Sequence, residues 1–358
     1  MSDLTYYDQV NINGTLKLRA LLSELPSFVK DFFRGIEPTT SIRTRISYAY
    51  DLRIFFQFLL EQNPVFSSYS MQDFKITDLD RLEALDIEEY IDYLKLYSNK
   101  NNDTKYITNS ERGLSRKMSM LRSFYAYYFK RGLIKTNPTI MVDMPKLHDK
   151  AIIRLDVDEV VMLLDYIENC GQELSGQKLR FYEKTKIRDF AIVTLLLGTG
   201  LRVSECVGLD LNDIDFKNNS LKVTRKGGNQ MYIFFGAEVF EALYDYINLE
   251  RKSIQPLPGH ENALFYSLQR KRIGVRAVEN LVKKYAKQIT PNKHITPHKL
   301  RSTYGTNLYQ ETGDIYLVAD VLGHHDVNTT KKHYAALGDE RRKQAAKAIT
   351  LREKNEKE

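Results

Sequence analysis

The chain has 358 residues and a mass of 41.7 kDa, more than one ordinary hydrophobic core holds, so two domains are expected. Hydrophobic residues make up 42% and charged residues 28%, which excludes a mainly disordered chain. No window approaches the roughly 18 apolar residues of a membrane span, the opening MSDLTYYDQV lacks the basic and apolar regions of a secretory signal, and Cys170 and Cys206 are too few for a disulfide framework or a thiolate zinc site. These features read as a soluble, cytoplasmic protein. Lys+Arg 53 against Asp+Glu 46 gives a net charge of +7, an excess that fits a polyanionic partner.

The first 140 or so residues read as nearly all helix. Leu52, Phe55, Phe56, Leu59 and Leu60 recur at helical spacing after the start signal Thr40–Ser41, and Asn63–Pro64 ends the run. Ile87, Tyr90, Ile91 and Leu94 form a second stripe introduced by Asp86. A third runs through Leu114, Met118, Leu121, Phe124, Tyr125 and Tyr128 until Gly132. From Lys105 to Lys135 the basic residues stand against the single acid Glu111, whereas Asp73 to Asp92 is dominated by acids. The cationic side of the third helix, with Arg112, Arg116, Lys117, Arg122 and Lys130, reads either as a DNA-facing surface, because phosphates attract the cations while the apolar stripe anchors the helix, or as an ordinary solvated face.

Residues 137–155 carry two prolines and little periodicity, as an interdomain linker does. Helical patterns resume at Asp156–Tyr166 and Ile187–Leu197. Leu221–Thr224, a Gly227–Gly228 turn and Met231–Phe235 read as a hairpin, and helices follow at about 237–253, 275–289, 299–311 and 339–350.

Four pieces of this second half carry chemistry. Gly198-Thr199-Gly200-Leu201-Arg202 sets an arginine just after a glycine-rich break, with Glu205 three residues on. A guanidinium beside a backbone turn can hold a tetrahedral phosphate, since it offers a bidentate fork and keeps its charge. Arg225-Lys226-Gly227-Gly228 places Lys226 at a hairpin tip, where it can enter a groove or protonate a leaving oxygen, or simply be an exposed turn lysine. Thr296-Pro297 starts a helix whose first turn holds His298 and Arg301 on one face. Pro297 also excludes a zinc pair of His294 and His298 on one helix. The fourth piece is Leu322-Gly323-His324-His325, then Thr329-Thr330 and His333-Tyr334.

In order these read Arg, Lys, His-x-x-Arg, Leu-Gly-His, Tyr, and the chain resembles the tyrosine recombinase or phage integrase family, closest in form to its Xer-like site-specific recombinases. The resemblance implies a mainly α, two-domain DNA clamp. Residues 1–142 would be a helical, SAM-like core-DNA-binding domain, 143–155 a linker and 156–337 a mostly α catalytic domain with a small antiparallel sheet. Residues 338–358 would be a C-terminal helix and tail able to dock on a neighbouring protomer. It further implies that Arg202, Arg301 and His324 hold the scissile phosphate, that Tyr334 is the nucleophile, that His298 assists its proton transfer, that Lys226 protonates the departing 5′ oxygen and that Glu205 orients His298 or Arg202. Arg225, Lys293, Lys299, Lys331 and Lys332 are expected on DNA phosphates. Tyr334 stands ten positions after His324, one more than the commonest Xer spacing, so Tyr304, Tyr309 and Tyr316 are rival tyrosines; their apolar helical surroundings read as core. Double-stranded DNA and a homotetramer on two sites are the implied partners, and no metal, ATP or other cofactor is implied. The implied role is dimer resolution or mobile-element integration. A type IB-like topoisomerase and a catalytically idle DNA-binding protein are the other readings.

Overall fold

The computed structural model describes residues 5–99, 102–148, 152–225 and 228–323. The chain divides into two compact units at Lys150/Ala151, within the expected linker.

The first unit is built from α1 (Tyr6–Ser23), α2 (Val29–Ile36), α3 (Ile42–Gln62), α4 (Ala84–Lys95), a hairpin of β1 (Leu96–Asn99) and β2 (Asn102–Thr108), and α5 (Glu111–Phe129). The Ser41 hydroxyl caps α3 by accepting from the Thr44 amide at 3.3 Å, and Asn63 ends it. Asp86 is inside α4 and caps it by accepting from the Glu83 amide at 2.7 Å. The three sequence stripes supply much of the core: Phe55, Phe56, Ile87, Tyr90, Met118, Phe124 and Tyr128 are all fully buried. Their rings pack edge to face, with Phe32 5.3 Å from Phe124 and Phe55 5.1 Å from Tyr90. The β1–β2 hairpin breaks the all-helical expectation. Tyr97, Tyr106, Ile107 and Thr108 favour extended backbone.

The second unit contains α6 (Val157–Asn169), α7 (Gly176–Glu183), α8 (Lys186–Thr199), α9 (Val203–Gly208), a sheet of β3 (Ile214–Asp215), β4 (Ser220–Thr224) and β5 (Gln230–Phe234), then α10 (Ala237–Asp245), α11 (Val275–Ile289), α12 (Pro297–Thr312) and α13 (Ile315–Leu322). The sheet is antiparallel in the order β3-β4-β5, with Leu221 opposite Ile233 and Val223 opposite Met231. Strand periodicity buries Leu221, Val223 and Ile233 and turns Tyr232 and Phe234 outward. Helix α8 is the central rod, buried along most of its length and packed on α6, α10 and α12. Its polar start is satisfied internally: Asp189 accepts from Arg188 Nη2 at 2.6 Å and from the Tyr285 hydroxyl at 3.0 Å, and Arg188 Nη1 donates to the Tyr266 carbonyl. Burial, reinforced by Asp189, pushes the Tyr285 hydroxyl well above its usual pKa, so it stays a donor.

Candidate active site

The site forms where α8, the β4–β5 hairpin and α12 meet the C-terminal end of α13. Helix α8 ends at Gly200, whose left-handed backbone (φ +63°) turns the chain toward Arg202. A Cβ at Gly200 would overlap Tyr304 and Leu322, and one at Gly198 would overlap Val239. The glycine-rich break is therefore both a helix stop and a close approach. Arg202 starts α9, and Glu205, 3% exposed, grips it twice: Oε2 accepts from the Arg202 amide at 2.9 Å and Oε1 from Nη1 at 2.7 Å. Glu205 thus orients Arg202.

Arg301 lies one turn into α12, which starts with Pro297 at its first position, and is 4% exposed. Its Nη1 donates to the Gly200 carbonyl at 2.6 Å and its Nη2 to the Leu322 carbonyl. Arg202 Nη2 donates to the Gly323 carbonyl at 3.1 Å, and Arg225 Nη2 to the Val321 carbonyl at 2.7 Å. Three consecutive carbonyls at the end of α13 thus each receive a guanidinium from a different element. The negative end of a helix favours this gathering of cations. Three permanent positive charges around one buried carboxylate leave a net cationic centre suited to a phosphate. His298 stands exposed on the first turn of α12, while Arg301 three residues on is buried, so the two do not share an environment.

Lys226, His324, Tyr334 and Lys331, together with Lys332 and the expected helix at 339–350, lie outside the described residues. Of the rival tyrosines, Tyr304 packs over the Gly200 turn, and burial raises its hydroxyl pKa, opposing its use as a nucleophile. Tyr309 is partly buried against α13. Tyr316 corrects its core expectation: Val318, Ala319 and Leu322 take the buried face of α13, leaving Tyr316 64% exposed.

Among the expected DNA contacts, Arg112 and Lys130 are exposed. Lys117 is not a surface residue: it is 5% exposed, and its Nζ donates to the buried Asp51 at 2.8 Å. Arg116 forks onto the same carboxylate, with Nη2 2.8 Å from Oδ1, while its side chain stays half exposed. Arg122 donates to the Thr139 and Val142 carbonyls at 3.1 and 2.5 Å, tying α5 to the segment that follows it. Lys293 holds Asp156 and Glu159 at 3.0 and 2.6 Å, and Lys299 is half buried. Arg225 is turned onto α13 rather than outward. Its place in the cationic centre is what sequence reasoning missed; its adjacency to Lys226 was the available signal. Among the described residues no His, Cys, Asp and Glu cluster could hold a metal ion, and no helix is long and apolar enough to cross a membrane.

The phage integrase family profile matches residues 154–341. The chain is 34% identical to tyrosine recombinase XerC of Caldanaerobacter subterraneus subsp. tengcongensis over 293 residues, 80% of this chain and 75% of that one. It is 29% identical to tyrosine recombinase XerS of Streptococcus thermophilus over 349 residues, 91% of this chain and 96% of that one. Among solved structures it is similar in fold to the Tn1549 transposon integrase in complex with transposon right end DNA (TM-score 0.63, 21% identity, 89% and 98% of the chains covered). XerH bound to palindromic difH substrate is comparable (TM-score 0.62, 16% identity, 97% of both chains). The ordered motifs, the convergent arginines and these matches agree: the chain belongs to the phage integrase family of tyrosine recombinases, enzymes of site-specific recombination that cut and rejoin DNA.

Proposed function

We propose that the chain cleaves a specific double-stranded DNA site through a 3′-phosphotyrosyl intermediate formed on Tyr334, acting as a tetramer on two sites. The observation that carries this reading is the convergence of Arg202 and Arg301, braced by Glu205, immediately before His324. The Tyr334 oxygen attacks phosphorus, the P–O5′ bond breaks, and Lys226 gives its proton to the departing 5′ oxygen. Arg202, Arg301 and His324 stabilise the charge on the non-bridging oxygens, with His298 assisting removal of the tyrosine proton. One such donor contributes about 10²–10³ in rate. Reversal by a 5′ hydroxyl of the partner site completes strand exchange.

The biological role we propose is resolution of chromosome or plasmid dimers, supported by the match to XerS over nearly the whole of both chains. Residues 338–358 would dock on a neighbouring protomer. The second unit offers a seat of opposite charge to the basic tail residues Arg341, Arg342, Lys343 and Lys347: a cleft of about 570 Å³ between α6, α8 and α10, with Asp165, Glu168, Glu238, Glu241 and Asp245 around an apolar floor.

The test is to recover the bound sequence from genomic fragments and place two direct copies on one plasmid. Conversion of plasmid dimers to monomers by the purified chain is expected, from a single chromosomal locus. A site confined to the ends of a mobile element would replace this role with integration and excision. Binding without strand exchange would leave a non-catalytic DNA-binding protein, and site-independent relaxation of supercoils a topoisomerase.

A further inference from the structure

Arg225 joins two segments that lead directly into catalytic positions. Its main chain closes the turn of the β4–β5 hairpin: the Arg225 amide donates to the Asn229 carbonyl at 2.8 Å, and its carbonyl accepts from the Gly228 amide at 3.0 Å. Its side chain leaves the hairpin and reaches the last turn of α13, where Nη2 donates to the Val321 carbonyl at 2.7 Å. The guanidinium packs closely against Gly323, whose Cβ, if it had one, would overlap it. Gly323 has φ +60°, so two independent constraints keep that position glycine. The residue after Arg225 is Lys226 and the residue after Gly323 is His324.

This seat is maintained at a cost. Arg225 Nε and Nη1 are buried and have no hydrogen-bond partner among the described residues. Burial pulls the guanidinium pKa down, the Arg202 charge adds to that, and Glu205 and Asp320 oppose it. A hairpin arginine with no task beyond solubility would lie in solvent.

We infer that Arg225 is a positioning residue: it latches the hairpin onto the end of α13 and so fixes Lys226, the leaving-group acid, relative to the arginines and His324 that hold the phosphate. This rests on the assignment of Lys226 as that acid. With Arg202 and Arg301 still in place to hold the phosphate, an unlatched hairpin chiefly deprives the 5′ oxygen of its proton.

The test compares cleavage of a nicked suicide substrate with an oxygen or a sulfur at the scissile 5′ bridging position, since a thiolate leaves without a proton. Arg225→Met keeps the aliphatic stem and removes every N–H; Arg225→Lys keeps one donor for Val321. On the oxygen substrate Arg225→Met is expected to lose about 10²-fold, at the lower end of what a general acid supplies, and Arg225→Lys less. On the sulfur substrate both should return to within about tenfold of the parent chain, as Lys226→Ala does, while Arg301→Ala stays slow on both. Circular dichroism and DNA affinity establish that the variants are folded. Equal loss on both substrates, or no loss on either, in a folded Arg225→Met chain overturns the latch while leaving Lys226 as the acid. Absence of sulfur rescue in Lys226→Ala itself overturns the assignment on which the latch depends.

Discussion

Arg301 has a structural task of its own, beside the catalytic one proposed for it. It is buried and donates to the Gly200 and Leu322 carbonyls, so it sets the spacing between the α8–α9 turn and α13 before any DNA arrives. Removing it leaves two buried carbonyls unmet, at about 1–3 kcal/mol each. Arg202 is different. Its side chain is 35% exposed, and Glu205 and Gly323 hold it at the edge of the centre. Arg301→Ala is therefore expected to lower the thermal midpoint clearly and abolish adduct formation, whereas Arg202→Ala should lower adduct formation by about 10²–10³ with a smaller change in midpoint. Differential scanning fluorimetry beside a suicide-substrate assay separates the two; equal midpoints would show that the Arg301 carbonyl bonds are not structural. Both arginines were legible in the sequence because a glycine-rich break and Pro297 mark how the backbone delivers them. The inward turn of Arg225 was not, since a residue-by-residue reading of a hairpin does not say which basic side chain folds back onto a distant helix.

At the scale of elements, α5 shows how far a charge pattern reaches. Its apolar stripe was read correctly: Leu114, Met118, Leu121, Phe124, Tyr125 and Tyr128 all face the core. Its basic side divides into two kinds. Lys117 and Arg116 neutralise Asp51, which is itself buried on α3, and Arg122 binds carbonyls beyond the helix; Arg112 and Lys130 are exposed. Nothing in the local sequence of α5 announces Asp51, which lies 66 residues from Lys117. The consequence is measurable as the dependence of DNA affinity on salt. Neutralising Arg112 and Lys130 to Gln should flatten the log–log slope by roughly one unit for each lost phosphate contact. Lys117→Met should leave the slope unchanged while destabilising the fold by about 1–3 kcal/mol, because the buried Asp51 loses one hydrogen-bond partner and keeps Arg116. A reduced slope in folded Lys117→Met would place that lysine on DNA and contradict its buried position.

Across the whole molecule, the two units and their helical character follow from chain length and from stripes of period 3.6, while the β1–β2 hairpin escaped because β1 is only four residues long and β2 opens on polar residues. The second unit gathers its cations from residues 202, 225 and 301, positions separated by up to 99 residues, through the packing of α12 on both α8 and α13. Such gathering is a property of the fold; the ordered motifs pointed to Arg202 and Arg301, and not to the inward turn of Arg225. The purpose proposed for the gathering is to let the Tyr334 hydroxyl break a phosphodiester. Tyr334→Phe removes one oxygen and almost no volume, so site binding and folding should survive. The deciding measurement is mass spectrometry of the protein–DNA adduct trapped on a nicked suicide substrate carrying the recovered site. A 3′-phosphotyrosyl peptide containing Tyr334 from the parent chain, and no adduct from folded Tyr334→Phe, is the expected result. An adduct that persists in Tyr334→Phe and maps to Tyr304, Tyr309 or Tyr316 would contradict the assignment of the nucleophile.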